Sequence, residues 1–242
     1  AFPLWVDSAD YTNMSGLNQQ LSTAIAAYRK SYESYFEKNS KQIESGVDQF
    51  DSAPRVVLLP GVGGACAGRD VREANICLDI MKQTLDVKAK IASMGTYQGL
   101  KERELFAMEY RGLQHAKLAQ GDLPLRGYVA AVTGAAGAIG SGISRALLQQ
   151  GCHVAITDLP GERLDNLVQE LGQDFYDRVL GADMDVTDTH SVAQGFTQII
   201  SAWGGVDIVV INAGLALVSS LEEMDLEAFR QLQRVNVEGT LL

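Results

Sequence analysis

The chain has 242 residues, 46% of them apolar, and a formal net charge of −10; this is ample for a packed core, as one large α/β domain or two small ones. Residues 127–242 carry 5 basic against 15 acidic side chains, which speaks against nucleic acid or an anionic membrane as partner. No apolar run reaches the ~18 residues of a membrane span, and Cys66, Cys77 and Cys152 form no CxxC pair and suggest neither a disulfide framework nor a zinc knuckle. The first basic residue is Arg29, so the amino end reads as no signal peptide. A cytoplasmic protein is expected, and its start at Ala1 rather than methionine suggests that an amino-terminal part lies outside these residues.

In chain order, Leu17, Leu21, Ile25, Tyr28, Tyr32 and Phe36 recur at helical spacing over 17–38 and predict a core-facing seam. A polar stretch (39–53) leads to a short strand, RVVLL, ended by Pro60. The loop GVGGACAG then reads as a tight strand-to-helix turn, because DVRE (70–73) forms a capping box opening a long helix to about Met94. A further helix is predicted over 101–119, with GDLPLRG as a linker.

From Val129 strands and helices alternate. Strands are predicted at 129–133, 153–158, 179–185 and 206–211, and a last helix from about Leu221, capped by Ser219 or Ser220. The helices between carry Ile139, Ile143 and Leu147, then Leu164, Leu167 and Leu171, then Val192, Phe196, Ile199 and Trp203. Strands joined by crossover helices imply a parallel sheet covered on both faces.

The stretch AAVTGAAGAIGSG (130–142) follows the first of these strands. A glycine-rich strand-to-helix turn aims backbone N–H groups and the positive helix end at a phosphate. An acid about 20 residues on, at the end of the next strand, suits ribose hydroxyls, and Asp158 stands there. An adenosylmethionine-dependent methyltransferase would show the same features. DMDVTD (183–188) and NAG (212–214), ending the third and fourth strands, separate the two. The earlier loop around Gly61, Gly63 and Gly64 has no second strand to present an acid and does not read as a phosphate site.

In this order, VTGAAGAIG, Asp158, DVTD, NAG and RVNVEGT resemble the amino-terminal half of the short-chain dehydrogenase/reductase family over residues 124–242. The resemblance implies an α/β fold with a Rossmann-type doubly wound parallel sheet, here incomplete. It implies that Gly134, Gly137, Ile139 and Gly140 line a pyrophosphate, with Asp158 and Leu159 at the adenosine ribose. Asp185 and Val186 would meet the adenine, and Asn212, Ala213 and Gly214 the cofactor at the central sheet edge. Asn236 matches the helix asparagine that positions a water for the family's proton relay. Ala138 replaces the middle glycine of TGxxxGxG, a departure toward the extended branch of nucleotide-sugar epimerases, whereas NAG favours the ordinary branch. The acid at 158 repels a 2′-phosphate and favours NAD over NADP, a preference that nearby Arg163 would soften.

Residues 16–119, with PRVVLLPGVGGACAGRDVREANICLDIMKQT and ELFAMEYRGLQHAKL, are similar to the carboxyl-terminal part of a class II aldolase domain. Such a domain precedes a short-chain dehydrogenase in bifunctional rhamnulose-1-phosphate aldolase/alcohol dehydrogenases. The expected organisation is therefore an aldolase-like part at 1–121, a linker at 122–128 and an NAD-binding half at 129–242, preceded by mainly helical α/β structure. The implied reaction is hydride transfer between nicotinamide and an alcohol or aldehyde, lactaldehyde if the rhamnose assignment holds. A small-molecule substrate and a homo-oligomer are expected.

The chemistry is incomplete in these residues. The family's serine, and its tyrosine with a lysine four residues on, lie beyond the match to Asn236, and no lysine follows Lys117. Tyr97 and Lys101 have the spacing but lie upstream, across a break at Gly99, and read as coincidence. Zinc would belong to the aldolase part; His115, His153 and His190 are too scattered to hold it, and its ligands would lie upstream of Ala1. The chain is thus expected to be an inactive internal piece of a bifunctional enzyme. A non-catalytic nucleotide-binding module and an epimerase fragment stay open as alternatives.

Overall fold

Two units follow one another, residues 1–121 and 122–242, and the computed structural model describes residues 2–7, 9–41, 47–110, 123–220 and 222–242. The first unit contains β1 (Leu4–Trp5), α1 (Met14–Ser40), β2 (Val56–Leu59), β3 (Gly63–Cys66), α2 (Val71–Ala92) and α3 (Glu102–Glu109). Asn13 caps α1 by accepting the Gly16 N–H at 3.0 Å, and Asp70 caps α2 by accepting from Glu73 N–H at 2.8 Å. The expected seam of α1 packs inward. Tyr28, Tyr32 and Tyr35 are buried with Leu4, Val6, Phe106 and Tyr110, and Leu21, Ile25 and Phe36 close the cluster.

That cluster is aromatic because its polar tips find partners. The Tyr32 hydroxyl donates to Glu109 Oε1 at 2.9 Å and pairs with the Tyr110 hydroxyl at 2.7 Å, while Tyr35 donates to Glu109 Oε2 at 3.2 Å. Burial, then the Glu109 charge, pushes the Tyr28 hydroxyl up to about 12. The same two causes raise Tyr35, and burial with the Tyr110 hydrogen bond raises Tyr32.

Two expectations change in this unit, the GVGGACAG turn and the extent of the helix from 101, and a strand is added at the amino end. GVGGACAG is no strand-to-helix turn: Gly63–Cys66 is strand β3, antiparallel to β2 with Leu59 opposite Gly63. Four residues of low β propensity escape a pattern search, and only pairing with β2 makes them a strand. Leu4–Trp5, too short to show alternation, pairs parallel with β2. Residues 95–101 are irregular, so Tyr97 and Lys101 share no helical face. The predicted helix over 101–119 is seen as Glu102–Glu109, and His115 lies outside the described residues.

The second unit contains β4 (Val129–Thr133), α4 (Ala138–Gln149), β5 (His153–Asp158), α5 (Glu162–Asp174), β6 (Val179–Asp183), α6 (Thr189–Trp203), β7 (Ile208–Val210), α7 (Leu226–Asn236) and a short 3-10 turn at Glu238–Thr240. The sheet order is β6-β5-β4-β7, all parallel. Strand alternation divides the core. Ala130, Val132, Val154 and Ile156 pack on Leu148, Leu164, Leu167 and Leu171 of α4 and α5. Val129, Ala131 and Ala155 face Ile199, Phe196 and Trp203 of α6 on the opposite side. Burial on both faces explains why these strands read as continuous apolar runs.

The boundaries also shift. β6 and β7 are shorter than predicted, and α7 begins at Leu226, with Asp225 as cap accepting the Glu227 N–H at 3.0 Å. Ser219 and Ser220 do not cap it; Ser220 Oγ bonds the Glu223 carboxylate at 3.1 Å instead. Among the described residues no helix is long and apolar enough to cross a membrane.

Candidate cofactor-binding site

The order reversal of the sheet lies between β4 and β7, where β4 leads to α4 and β7 leads outward. In an open parallel sheet this carboxyl edge is where a crevice forms. Here a cleft of about 880 Å³ is lined by the loop Gly134–Gly140, by Asp158–Arg163, by Met184, Asp185 and Val186, and by Asn212–Leu215, with Gln231 and Val235 of α7. Every cofactor-contact residue named from the sequence lines it: Gly134, Gly137, Ile139, Gly140, Asp158, Leu159, Asp185, Val186, Asn212, Ala213 and Gly214.

Two glycines shape the loop. Gly134 takes φ +61°, and a Cβ there would stand 2.7 Å from the Ala213 Cα. A Cβ on Gly140 would stand 2.4 Å from the Gly134 carbonyl oxygen and 2.8 Å from Asn212 Nδ2. The helix can approach the turn only because this position is bare. Gly137 is the cap of α4 and supplies no side-chain hydrogen bond. The first-turn amides of Ala138, Ile139 and Gly140 have no acceptor within the helix and point with its positive end toward the cleft.

Asp158 ends β5 and reaches across to the loop. Its Oδ2 accepts the Ala136 N–H at 2.8 Å, and its Oδ1 accepts the Leu159 N–H at 2.8 Å. Each oxygen keeps a second lone pair for a donor in the cleft. Asp185 is held similarly: Oδ1 accepts from Thr187 N–H and Oγ1 at 2.8 and 2.7 Å, and Ser191 Oγ accepts the Asp185 N–H at 2.9 Å.

At the opposite wall, Asn212 Nδ2 donates to the carbonyls of Thr133 and Gly134, both at 3.0 Å. Thr133 Oγ1 in return accepts the N–H groups of Asn212 and Ala213, each at 3.0 Å. This exchange fixes NAG against the loop. Asn236 does not line the cleft. Its side chain accepts the Leu215 N–H at 2.8 Å and donates to the Leu215 carbonyl at 2.9 Å, which ties α7 to the segment after NAG. Sequence reasoning missed Thr133 and Ala136, and the wall Met184, Gln231 and Val235. Thr133 stands directly before the first glycine, where a hydroxyl among apolar strand residues was the available signal.

The donor set fits a dinucleotide. Free helix-end amides suit a pyrophosphate, the Asp158 carboxylate suits a diol, and the volume lies within the ~300–1,000 Å³ of ligand clefts. Among the described residues no group of three His, Cys, Asp or Glu could hold a metal.

Comparison with known proteins gives the same division. Residues 1–118 match the family model for the second domain of class II aldolases, and residues 128–242 match that for short chain dehydrogenases. The uncharacterized oxidoreductase YuxG of Bacillus subtilis is 31% identical over 98% of this chain and 34% of its own length. The D-threitol dehydrogenase of Mycolicibacterium smegmatis is 36% identical over 50% of this chain and 46% of its own. Of solved structures, the 3-ketoacyl-(acyl-carrier-protein) reductase of Brucella melitensis complexed with NADH is 30% identical, covering 48% of this chain and 46% of that one with a TM-score of 0.45. The chain thus spans about a third of YuxG and about half of the dehydrogenase relative. Residues 128–242 belong to the short chain dehydrogenase family, and they follow residues 1–118 of the class II aldolase second-domain family.

Proposed function

We propose that the second unit binds NAD for an oxidoreductase that moves hydride between nicotinamide and an alcohol or aldehyde. The observation that carries this is Asp158, whose carboxylate is locked to the loop through Ala136 and still faces the cleft. When bound, the nicotinamide accepts or gives the hydride. Gly134, Gly137, Ile139 and Gly140 hold the pyrophosphate, Asp158 and Leu159 the ribose, and Asp185 and Val186 the adenine. A 2′-phosphate beside Asp158 would meet like charge, which favours NAD over NADP. Arg163, in the first turn of α5, lines the same wall and limits that preference.

The wider reading is a bifunctional enzyme whose first part is of the rhamnulose-1-phosphate aldolase type and whose dehydrogenase part takes lactaldehyde. Support comes from the YuxG match, which runs over both units. Within these 242 residues Asn236 has no tyrosine–lysine pair after it, so this length of chain by itself turns no substrate over and holds NAD at most weakly. In an enzyme that supplies that pair, Asn236 would serve the proton relay through the segment it ties at Leu215. We assign the protein to the cytoplasm, working as a homo-oligomer on a small-molecule substrate without nucleic acid or membrane.

Fluorescence titration with NADH and NADPH tests the cofactor. NADH should bind about tenfold more tightly, and Asp158→Ala should erase the difference, since one charge pair near a surface is worth roughly 1–2 kcal/mol. Equal affinity in the unsubstituted chain would overturn the NAD assignment.

A further inference from the structure

The GVGGACAG stretch, which the dinucleotide site leaves unused, brings three sulfur atoms together. Cys66 closes β3, and Cys77 and Met81 stand one helical turn apart on α2. Cys66 Sγ lies 3.7 Å from Met81 Sδ, and Cys77 Sγ donates to the Arg55 carbonyl at 3.4 Å. That carbonyl also accepts the Ala67 N–H at 2.9 Å, so the Cys77 thiol is tied to backbone directly beside Cys66. The thiols feel each other: burial, with Cys77 next, pushes Cys66 up to about 11. All three side chains are half-buried and reachable from solvent. Gly64 makes the room, because a Cβ there would stand 2.5 Å from Met81 Sδ.

We propose that Cys66, Cys77 and Met81 form a three-sulfur site for a soft monovalent cation of the Cu(I) and Ag(I) class. Thiolate and thioether donors select such ions over hard cations. Metal–sulfur bonds of about 2.3 Å around a trigonal centre place the donors roughly 4 Å apart, close to the 3.7 Å already present. A disulfide would use both cysteines but give the thioether no part. On binding, the ion displaces the two thiol protons to solvent, forms two thiolate bonds and one thioether bond, and exchanges no electron.

The test titrates the reduced 242-residue chain under argon with Cu(I) delivered as its bicinchoninate complex. The unsubstituted chain and Cys152→Ser should each withdraw one equivalent. Cys66→Ser and Cys77→Ser should weaken binding by at least about a hundredfold and Met81→Leu by about tenfold. X-ray absorption at the copper edge should show three sulfur neighbours. Met81→Leu nearly conserves volume, so it and the absorption measurement decide the matter if a cysteine variant fails to fold. No withdrawal of copper, undiminished affinity in Cys66→Ser or Cys77→Ser, or two sulfur neighbours with unchanged affinity in Met81→Leu would overturn the site.

Discussion

Single atoms govern the cleft. Gly140→Ala would place a methyl 2.4 Å from the Gly134 oxygen, which is backbone and cannot swing aside. The expected cost is about 1–3 kcal/mol, read as a lower denaturation midpoint of the second unit. Ala138 is different: it is exposed on the first turn of α4 and faces the cleft. Ala138→Gly removes a methyl from the phosphate path at less than about 1 kcal/mol of helix stability. It should tighten NADH binding; weaker binding would show that the methyl is a favourable contact. In the first unit the tyrosine hydroxyls carry the pH dependence. Burial and Glu109 raise their folded values above the ~10 of an unfolded chain. The neutral forms are the ones the fold prefers, so this stability is complete below pH ~10 and is lost as pH rises through the folded values. Unfolding followed by tyrosinate absorbance should set in above pH ~10 and begin at higher pH in Tyr28→Phe, with Tyr32 and Tyr35 retaining the rest of the transition.

At the scale of elements, periodicity carried most of what could be read ahead of the structure. Leu164, Leu167 and Leu171 are buried as their spacing requires, and VAAVT, apolar except for Thr133, is buried on both faces as a central parallel strand should be. The dinucleotide wall was legible because strand, loop and acid have fixed offsets. Two short strands without an apolar run of their own were not. Leu4–Trp5 and Gly63–Cys66 become strands only through partners distant in sequence, and tertiary pairing outweighs their weak local preference. The start of α7 was misplaced because two serines and an aspartate compete as caps. Asp225 wins, bonding Glu227 N–H, and Asp225→Ala should cost about 1 kcal/mol. That loss would loosen the α7 wall and weaken NADH binding modestly, which a paired melting and binding measurement would register.

For the molecule as a whole, charge and edges set behaviour. Among the described residues the sheet ends in β7 on one side, and Val209 in that strand and Ile211 just after it are 48% and 53% exposed. An apolar edge strand with unpaired backbone groups invites pairing with another chain. Sedimentation should show concentration-dependent self-association that Val209→Lys reduces, despite the −10 charge. The central claim is that the cleft at the end of β4 is a dinucleotide site, and amide chemical-shift mapping with NAD tests it most directly. Shifts should concentrate at Ala138, Ile139, Gly140, Leu159, Val186 and Gly214, with adenosylmethionine leaving the spectrum unmoved. Shifts confined to other residues, or the same set moved by adenosylmethionine and not by NAD, would contradict it.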